Sequence, residues 1–264
     1  MKGTFLFLGS GASMGVPVIG CKCAVCQSEV PSNKRLRPAG LLKVAGKSFL
    51  IDVGPDFREQ ALRYRIEYLD GLLLTHVHYD HIAGINDLRI FYFLQKKAIP
   101  CLLSFETLEE LKVRYHYLLR PIGEVTTISA QLEFQMLEED FGDVEFEGVK
   151  MQNLTFSQSN MKVTGFRIGD FAYVSDIRDY TDEVFVILKG VKKLVVSALR
   201  HRPSPVHFSI EEGIEFSRKV GAEKTWFTHI AHDLDHEETN RSLPPEIRLG
   251  ADGLEIEFNY EEKA

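Results

Sequence analysis

The sequence predicts an α/β protein built as one domain over residues 1–264, on three observations. Strand-like runs bounded by turn residues recur along the whole chain. Stretches of helical character lie between them, the pattern of stacked strand and helix layers. No internal repeat, low-complexity tract or long Pro/Ser/Gly linker divides the chain. The 264 residues are ample for a sizeable core, and 44% hydrophobic with 26% charged residues is ordinary for a globular protein.

The expected strands, in order, are Thr4–Leu8, Gly40–Val44, Ser48–Asp52, Leu72–Thr75, Pro100–Leu103, Val163–Ile168, Phe171–Val174, Lys193–Ser197, Lys224–Thr228 and Leu254–Phe258. Ala45-Gly46 and Gly169-Asp170 join neighbouring pairs as hairpins. Helices are expected over Ile82–Gln95, Phe105–Leu119 and Ile210–Val220. The last carries its own punctuation: Ser209 and Glu212 form a capping-box pattern, Gly221 follows the end, and Ile210, Ile214 and Val220 supply part of a buried face. Lys96–Phe156 has the weakest pattern and leaves room for an insertion or cap. Its acidic stretch Leu137–Glu147 reads as a solvated edge.

A net charge of −7 gives no general attraction to nucleic acid or anionic membrane. No apolar run approaches the ~20 residues needed to cross a bilayer. The start, Met1 to Ser10, passes from a short apolar run straight into Gly-rich turn chemistry, as a first strand does and a secretory signal does not. A cytoplasmic location follows as the expectation. In a reducing compartment the crowded Cys21, Cys23 and Cys26 suit a metal site better than disulfides.

The strongest chemical signal is Thr75-His76-Val77-His78-Tyr79-Asp80-His81, directly after the apolar Leu72-Leu73-Leu74. Three imidazoles and a carboxylate within six residues are costly in a core, and they are ordinary ligands for zinc, manganese or iron. The His76/His78 spacing lets two rings reach one metal. Asp80 and His81, past the turn, can face a second. Two such metals a few ångströms apart neutralise a phosphoryl or carbonyl oxygen and hold a bridging hydroxide.

His-x-His-x-Asp-His after a strand resembles the signature of the metallo-β-lactamase superfamily, and the resemblance extends over nearly the whole chain. It implies an αββα sandwich, two mixed β-sheets flanked by helices, with the metals at one edge. It implies further that Asp52 is a buried carboxylate behind the metals, that Asp176 bridges both, and that His229 is the last ligand. The superfamily usually has another ligand His six or seven residues before a Gly-aromatic pair, here Gly165-Phe166. That position falls on Gln158 or Ser159. Site one then keeps His76, His78 and Asp176, and site two keeps Asp80, His81, Asp176 and His229. Site one is expected to bind more weakly, or to use water or a Gln158 oxygen.

Cys21-Lys22-Cys23-Ala24-Val25-Cys26 offers three thiolates, and a tetrahedral structural zinc needs a fourth ligand. His232, three residues after His229, is the candidate. Cys101 stands apart and reads as a core residue. The run Phe7 to Pro17 followed by Cys-x-Cys-x-x-Cys, with Thr228 to His236, resembles the cyclic-phosphate phosphodiesterase (PhnP) branch. The family of pyrroloquinoline-quinone synthesis protein B shares the zinc loop but usually has a degraded catalytic motif. The branch implies that His207 contacts the scissile phosphate, where a protonated ring stabilises phosphoryl charge or protonates the leaving oxygen. Arg200 and Arg202 are either phosphate contacts or solvated. His201 reads as a loop residue, and His116 and His236 as exposed.

The expected function is hydrolysis of a small, cyclic or linear, phosphodiester by a metal-bound hydroxide, with His207, Asp80 and Asp52 as the catalytic set. The expected cofactors are a structural zinc and two divalent active-site metals. Nucleic acid and membrane are not expected as partners, and a homodimer is admitted. The rival readings are a tRNA 3′-processing endonuclease, a thioester or lactone hydrolase on the same metal pair, and a binding protein that kept the fold.

Overall fold

Apolar runs pair into two sheets in the computed structural model, which describes residues 1–119 and 129–260. The first half of the chain forms β1 (Lys2–Gly9), α1 (Ala24–Gln27), β2 (Ala39–Val44), β3 (Lys47–Ile51), α2 (Phe57–Arg63), β4 (Gly71–Leu73), α3 (Tyr79–Ile82), α4 (Arg89–Gln95), β5 (Ile99–Leu103), α5 (Phe105–Arg114) and β6 (Leu132–Met136). The second half forms β7 (Phe141–Phe146), β8 (Val149–Gln158), β9 (Met161–Ile168), β10 (Phe171–Val174), α6 (Glu183–Leu188), β11 (Lys193–Ser197), α7 (Ile210–Val220), β12 (Lys224–Thr228), α8 (His236–Ser242), β13 (Ile247–Leu249) and β14 (Glu255–Asn259). One seven-stranded sheet has the order β14-β1-β2-β3-β4-β5-β6; the other runs β13-β12-β11-β10-β9-β8-β7.

The sheets face each other across an aromatic core. Phe5, Phe7, Phe49 and Phe258 of the first sheet meet Phe166, Phe171 and Tyr173 of the second, all buried. Their outer faces are covered in turn. Leu50, Leu72, Leu74 and Cys101 pack under Phe57, Phe91 and Leu108, and Val174, Leu194 and Val196 pack under Val184, Leu188 and Phe216. Helix, sheet, sheet and helix therefore stack as the expected αββα sandwich. Burial pushes the Cys101 thiol up, as suits a core residue.

Strands β3 to β6 run parallel, as do β10 to β13, so each sheet gathers several strand C-termini at one end. Loops there converge, which is where open α/β sheets place ligands. At that end Thr164 N donates to the Thr75 carbonyl at 2.9 Å and joins the two sheets beside the His-rich loop.

Several elements differ from expectation. Ile82–Gln95 is not one helix: α3 ends at Ile82, a 3₁₀ turn spans Ile85–Leu88, and α4 begins at Arg89. The break lets the chain dock on the loop after β3. There Val53 N donates to His81 O at 2.7 Å and Gly84 N to Val53 O at 2.8 Å. The approach is so close that a Cβ on Gly54 would lie 2.1 Å from the Asp80 carbonyl. Phe105–Leu119 splits similarly into α5 and a 3₁₀ turn at His116–Leu119, with Arg114 tied to the Val77 carbonyl. Lys96–Phe156 is no insertion where it is described, since it supplies β5 to β8. Residues 120–128 of it lie outside the described residues. Its acidic part forms β7, an edge strand, and charges suit such an edge. Helix α7 has the expected capping box, and Gly221 ends it at φ 74°. Among the described residues no helix is long and apolar enough to cross a membrane.

Candidate metal centre

Five strand ends deliver the site. Asp52 follows β3, His76 to His81 follow β4, Asp176 follows β10, and His229 follows β12. His207 lies on the loop from β11 to α7, held by Leu199 N to Phe208 O at 2.9 Å and Ile210 N to Arg200 O at 3.0 Å. Asp52, Asp176 and His229 take left-handed backbone conformations, with φ of 60°, 61° and 57°. A non-glycine residue there costs about 1 kcal/mol or more, and such conformations cluster where a site needs a side chain re-aimed. Each turns abruptly off its strand toward the same spot.

The donors meet as a preformed set. His81 Nε2 lies 3.4 Å from Asp80 Oδ2 and 3.2 Å from Asp176 Oδ2. His229 Nε2 lies 3.3 Å from Asp80 Oδ2 and 3.2 Å from Asp176 Oδ1. His76 Nε2 and His78 Nδ1 stand 3.0 Å apart beside them. Asp52, His76, Asp80, His81, Asp176 and His229 are all buried, and His78 is half-buried.

The residues fit divalent metal. His81 Nε2, fully buried, faces two carboxylates yet has no hydrogen-bond partner. A buried orphan of this kind needs an explanation, and an ion among the donors supplies it. The 3.2–3.4 Å spacings match the roughly 3.4 Å edge of a tetrahedron with bonds of about 2.1 Å. Asp80 with His81 and His229, and Asp176 with His76 and His81, form groups able to hold an ion. His78 pairs with His76 but belongs to no such group of three among the described residues.

The surroundings set protonation. Burial opposes charge on His81, but Asp176, Asp80 and Asp52 outweigh it and raise the ring well above its ordinary value. Burial likewise opposes the Asp80 carboxylate, yet His81 and His229 hold it low. Burial, then neighbouring His81, pushes His76 well down, leaving a neutral ring with a free lone pair. Asp52 supports the set from behind: Oδ2 accepts from His81 Nδ1 at 2.7 Å, and Oδ1 from Thr75 N at 2.9 Å. Asp52→Asn should lower active-site metal affinity about 10- to 100-fold, the usual effect of losing such a partner. Metal titration by calorimetry checks it, and unchanged affinity would contradict the orienting role.

The sequence reading missed two hydroxyls. Thr75 Oγ1 lies 2.9 Å from Asp52 Oδ2 and 2.9 Å from His76 Nδ1, and Ser175 Oγ donates to Asp176 Oδ2 at 2.6 Å. Both stand immediately before a ligand in the chain, which was the available signal. Two expectations need correction. Gln158 does sit at the site, but its amide nitrogen, not its oxygen, faces Asp176 Oδ1 at 3.3 Å. Asp176 can only accept, so it takes the N–H side. His207 departs from the protonated form that the resemblance invokes in that burial and the adjacent His229 push the ring down to about 4, toward the neutral form. Its Nδ1 lies 3.4 Å from Asp176 Oδ1, and Gln158 Nε2 lies 3.1 Å from the same ring nitrogen. Ser159 lies at the β8–β9 turn.

A second cluster lies nearby in the chain. Cys21 Sγ and Cys23 Sγ each lie 3.4 Å from His232 Nδ1, and Cys26 completes a group able to hold an ion. Cys26 N donates to Cys23 Sγ, and chiefly that bond, then His232, brings the Cys23 thiol down to about 6. Burial pushes Cys26 up to about 11. Behind it Asn33 Nδ2 donates to Asp235 Oδ2 at 2.7 Å. His236, expected to be exposed, is half-buried with its Nδ1 2.9 Å from Arg35 Nη2, because buried Arg35 needs an acceptor there. His201 and His116 are exposed; His201 pairs with Glu211. Arg202 is solvated beside Asp233, and Arg200 is half-buried with its Nε unpartnered.

The sandwich and its edge cluster define a metal-dependent hydrolase of the metallo-β-lactamase class. A beta-lactamase superfamily domain model matches residues 47–230. A crystal structure of a diphosphatase from the PhnP family is 39% identical, covers 98% of each chain and superposes with a TM-score of 0.90. An octanoyltransferase of Porphyromonas gingivalis is 34% identical over 260 residues, 95% of this chain. A ribonuclease Z of Bradyrhizobium diazoefficiens is 46% identical over 63 residues, 23% of this chain. The chain spans 50% of the octanoyltransferase and 21% of the ribonuclease Z. The chain belongs to the beta-lactamase superfamily and, within it, to the PhnP family.

Proposed function

We propose that this chain hydrolyses a small phosphodiester at the edge cluster. The observation that carries the reading is the meeting of Asp80, His81 and His229, with Asp176 3.2 Å from both rings, beside His76 and His78. Divalent ions held there supply water activation and neutralise phosphoryl charge. The chain's own residues do the rest. Asp52 and Thr75 fix the ring orientations of His81 and His76. The Arg178–Glu212 ion pair, 2.8 Å, braces the start of α7 and with it the His207 loop. A neutral His207 keeps one N–H, enough to donate to a phosphoryl oxygen. The PhnP-family relative is a diphosphatase, which concerns the same phosphoryl chemistry.

The local match to ribonuclease Z favours tRNA 3′ processing as a second reading, though the charge of −7 gives RNA no general attraction. A panel separates them: bis(p-nitrophenyl) phosphate, a 2′,3′-cyclic nucleotide, a dinucleoside diphosphate, a thioester, a lactone and a tRNA precursor. We expect turnover of the first two. Turnover confined to the thioester or lactone, or to the tRNA precursor, would overturn the reading.

A further inference from the structure

The two halves of the edge cluster are unequal. At site two Asp80, His81 and His229 form a group of three able to hold an ion, with Asp176 Oδ2 3.2 Å from His81 Nε2 and Asp176 Oδ1 3.2 Å from His229 Nε2. Beside it, His76 and His78 face each other at 3.0 Å; His76 groups with His81 and Asp176, and among the described residues His78 joins no group of three. The residue at the position of a further ligand is Gln158, 2% exposed at the end of β8. Its NH₂ points at Asp176 Oδ1, at 3.3 Å. In this orientation the amide presents to Asp176 an N–H, which carries partial positive charge and no lone pair for a cation. It also occupies a carboxylate oxygen that would otherwise be free to bridge.

His207 does not complete the open half. Its ring lies against His229, with centroids 4.4 Å apart, and it groups with Asp176 and His229 rather than with His76 or His78. Both of its nitrogens lie within 3.2 Å of the Gln158 amide nitrogen. The open half thus has two imidazoles, a share of one carboxylate, and an N–H donor opposite.

We propose that Gln158 makes this a site with one tightly held active-site ion, the second being taken up only together with a phosphoryl group. The inference rests on the phosphodiesterase reading, because a phosphoryl oxygen is the anionic donor the open half lacks. Binding linkage then runs both ways: phosphate raises the affinity for the second ion, and the second ion raises the affinity for phosphate by the same factor. Gln158 acts as the residue that sets metal occupancy, through Asp176, and not as a group that touches the reacting atoms.

Equilibrium dialysis with Mn²⁺ tests this on the whole chain, with and without inorganic phosphate, zinc on the cysteine cluster being counted separately. Wild type should hold about one tight Mn²⁺ without phosphate and about two with it, the second affinity rising by about tenfold or more. Gln158→His supplies the missing lone pair and should hold both ions without phosphate. Two equally tight Mn²⁺ in phosphate-free wild type would overturn the inference, as would a Gln158→His chain whose second ion still requires phosphate. A chain that hydrolyses bis(p-nitrophenyl) phosphate yet shows either result loses this inference and keeps the proposed function. A chain with no phosphodiesterase activity and no phosphate effect loses both.

Discussion

Asp80→Ala should reduce turnover of bis(p-nitrophenyl) phosphate to about one-thousandth of wild type or less. The Asp80 carboxylate is the only anion on the first-sheet side that faces both His81 and His229 among the described residues. Without it the two rings share only Asp176, while His81 keeps Asp52 on its other nitrogen. The group of three that Asp80 forms with His81 and His229 becomes a pair, and the charge that balances a divalent ion falls by one. Metal-assisted charge stabilisation contributes several kcal/mol to a phosphoryl transition state, and about 4 kcal/mol corresponds to a thousandfold in rate. Elemental analysis should show one fewer tight active-site ion. A circular-dichroism spectrum like that of the metal-free wild type would separate this loss from misfolding. Wild-type activity in Asp80→Ala would end the assignment.

Cys23→Ser should empty the cysteine cluster of metal and lower the melting temperature by roughly 8–16 °C. The cluster joins the loop after β1 to the loop after β12, so its ion acts as a cross-link between stretches more than 200 residues apart. Removing a native cross-link of that reach costs roughly 4 kcal/mol, and each kcal/mol shifts a domain of this size by about 2–4 °C. Other bonds hold the same loops: Ala12 N to Ile230 O and Ile230 N to Ser10 O, both 3.0 Å, and Asn33 to Asp235. Those bonds keep the variant folded, so the loss appears as a shift and not as collapse. Zinc content and calorimetry check it. An unchanged transition in zinc-free Cys23→Ser would show that the cluster does not stabilise the fold.

The two predictions rest on residues that were readable for different reasons. His76 to His81 declare themselves because so many ligand types in one short loop have few other uses. Strands β10, β11 and β12 and helix α7 were readable to the residue, since apolar runs end sharply at polar turns and α7 carries its own cap and stop. Strands β6 to β8 were not. Leu132–Met136 and Phe141–Phe146 lie at sheet edges and stay half-exposed, so charge dilutes their pattern. Asn153 and Gln158 interrupt β8 because it serves the site and the edge at once. The short β13 gives too few residues for a period to emerge. Helices α2, α6 and α8 have six or seven residues each, below the length at which helical periodicity is distinctive.

Within the site, the types of residue were legible and their attitudes were not. Asp52, Asp176 and His229 were found by strand context, but their left-handed backbone was invisible until the structure showed it. Asp and His tolerate that conformation better than most side chains, which is the only trace it leaves in a sequence. The direction of the Gln158 amide depends on which neighbour can accept, and that neighbour is 18 residues away along the chain.

One consequence follows from where the donors originate. His76, His78, Asp80 and His81 hang from one layer of the sandwich, while Asp176 and His229 hang from the other. An ion shared between them therefore laces the layers together at their open rim. Folding and loading become a single linked equilibrium, in which an ion at about a hundred times its dissociation constant adds about 2.7 kcal/mol to the native state. Starved of metal, such a molecule begins to part at the rim where it works, while the aromatic interior away from the rim stays shut.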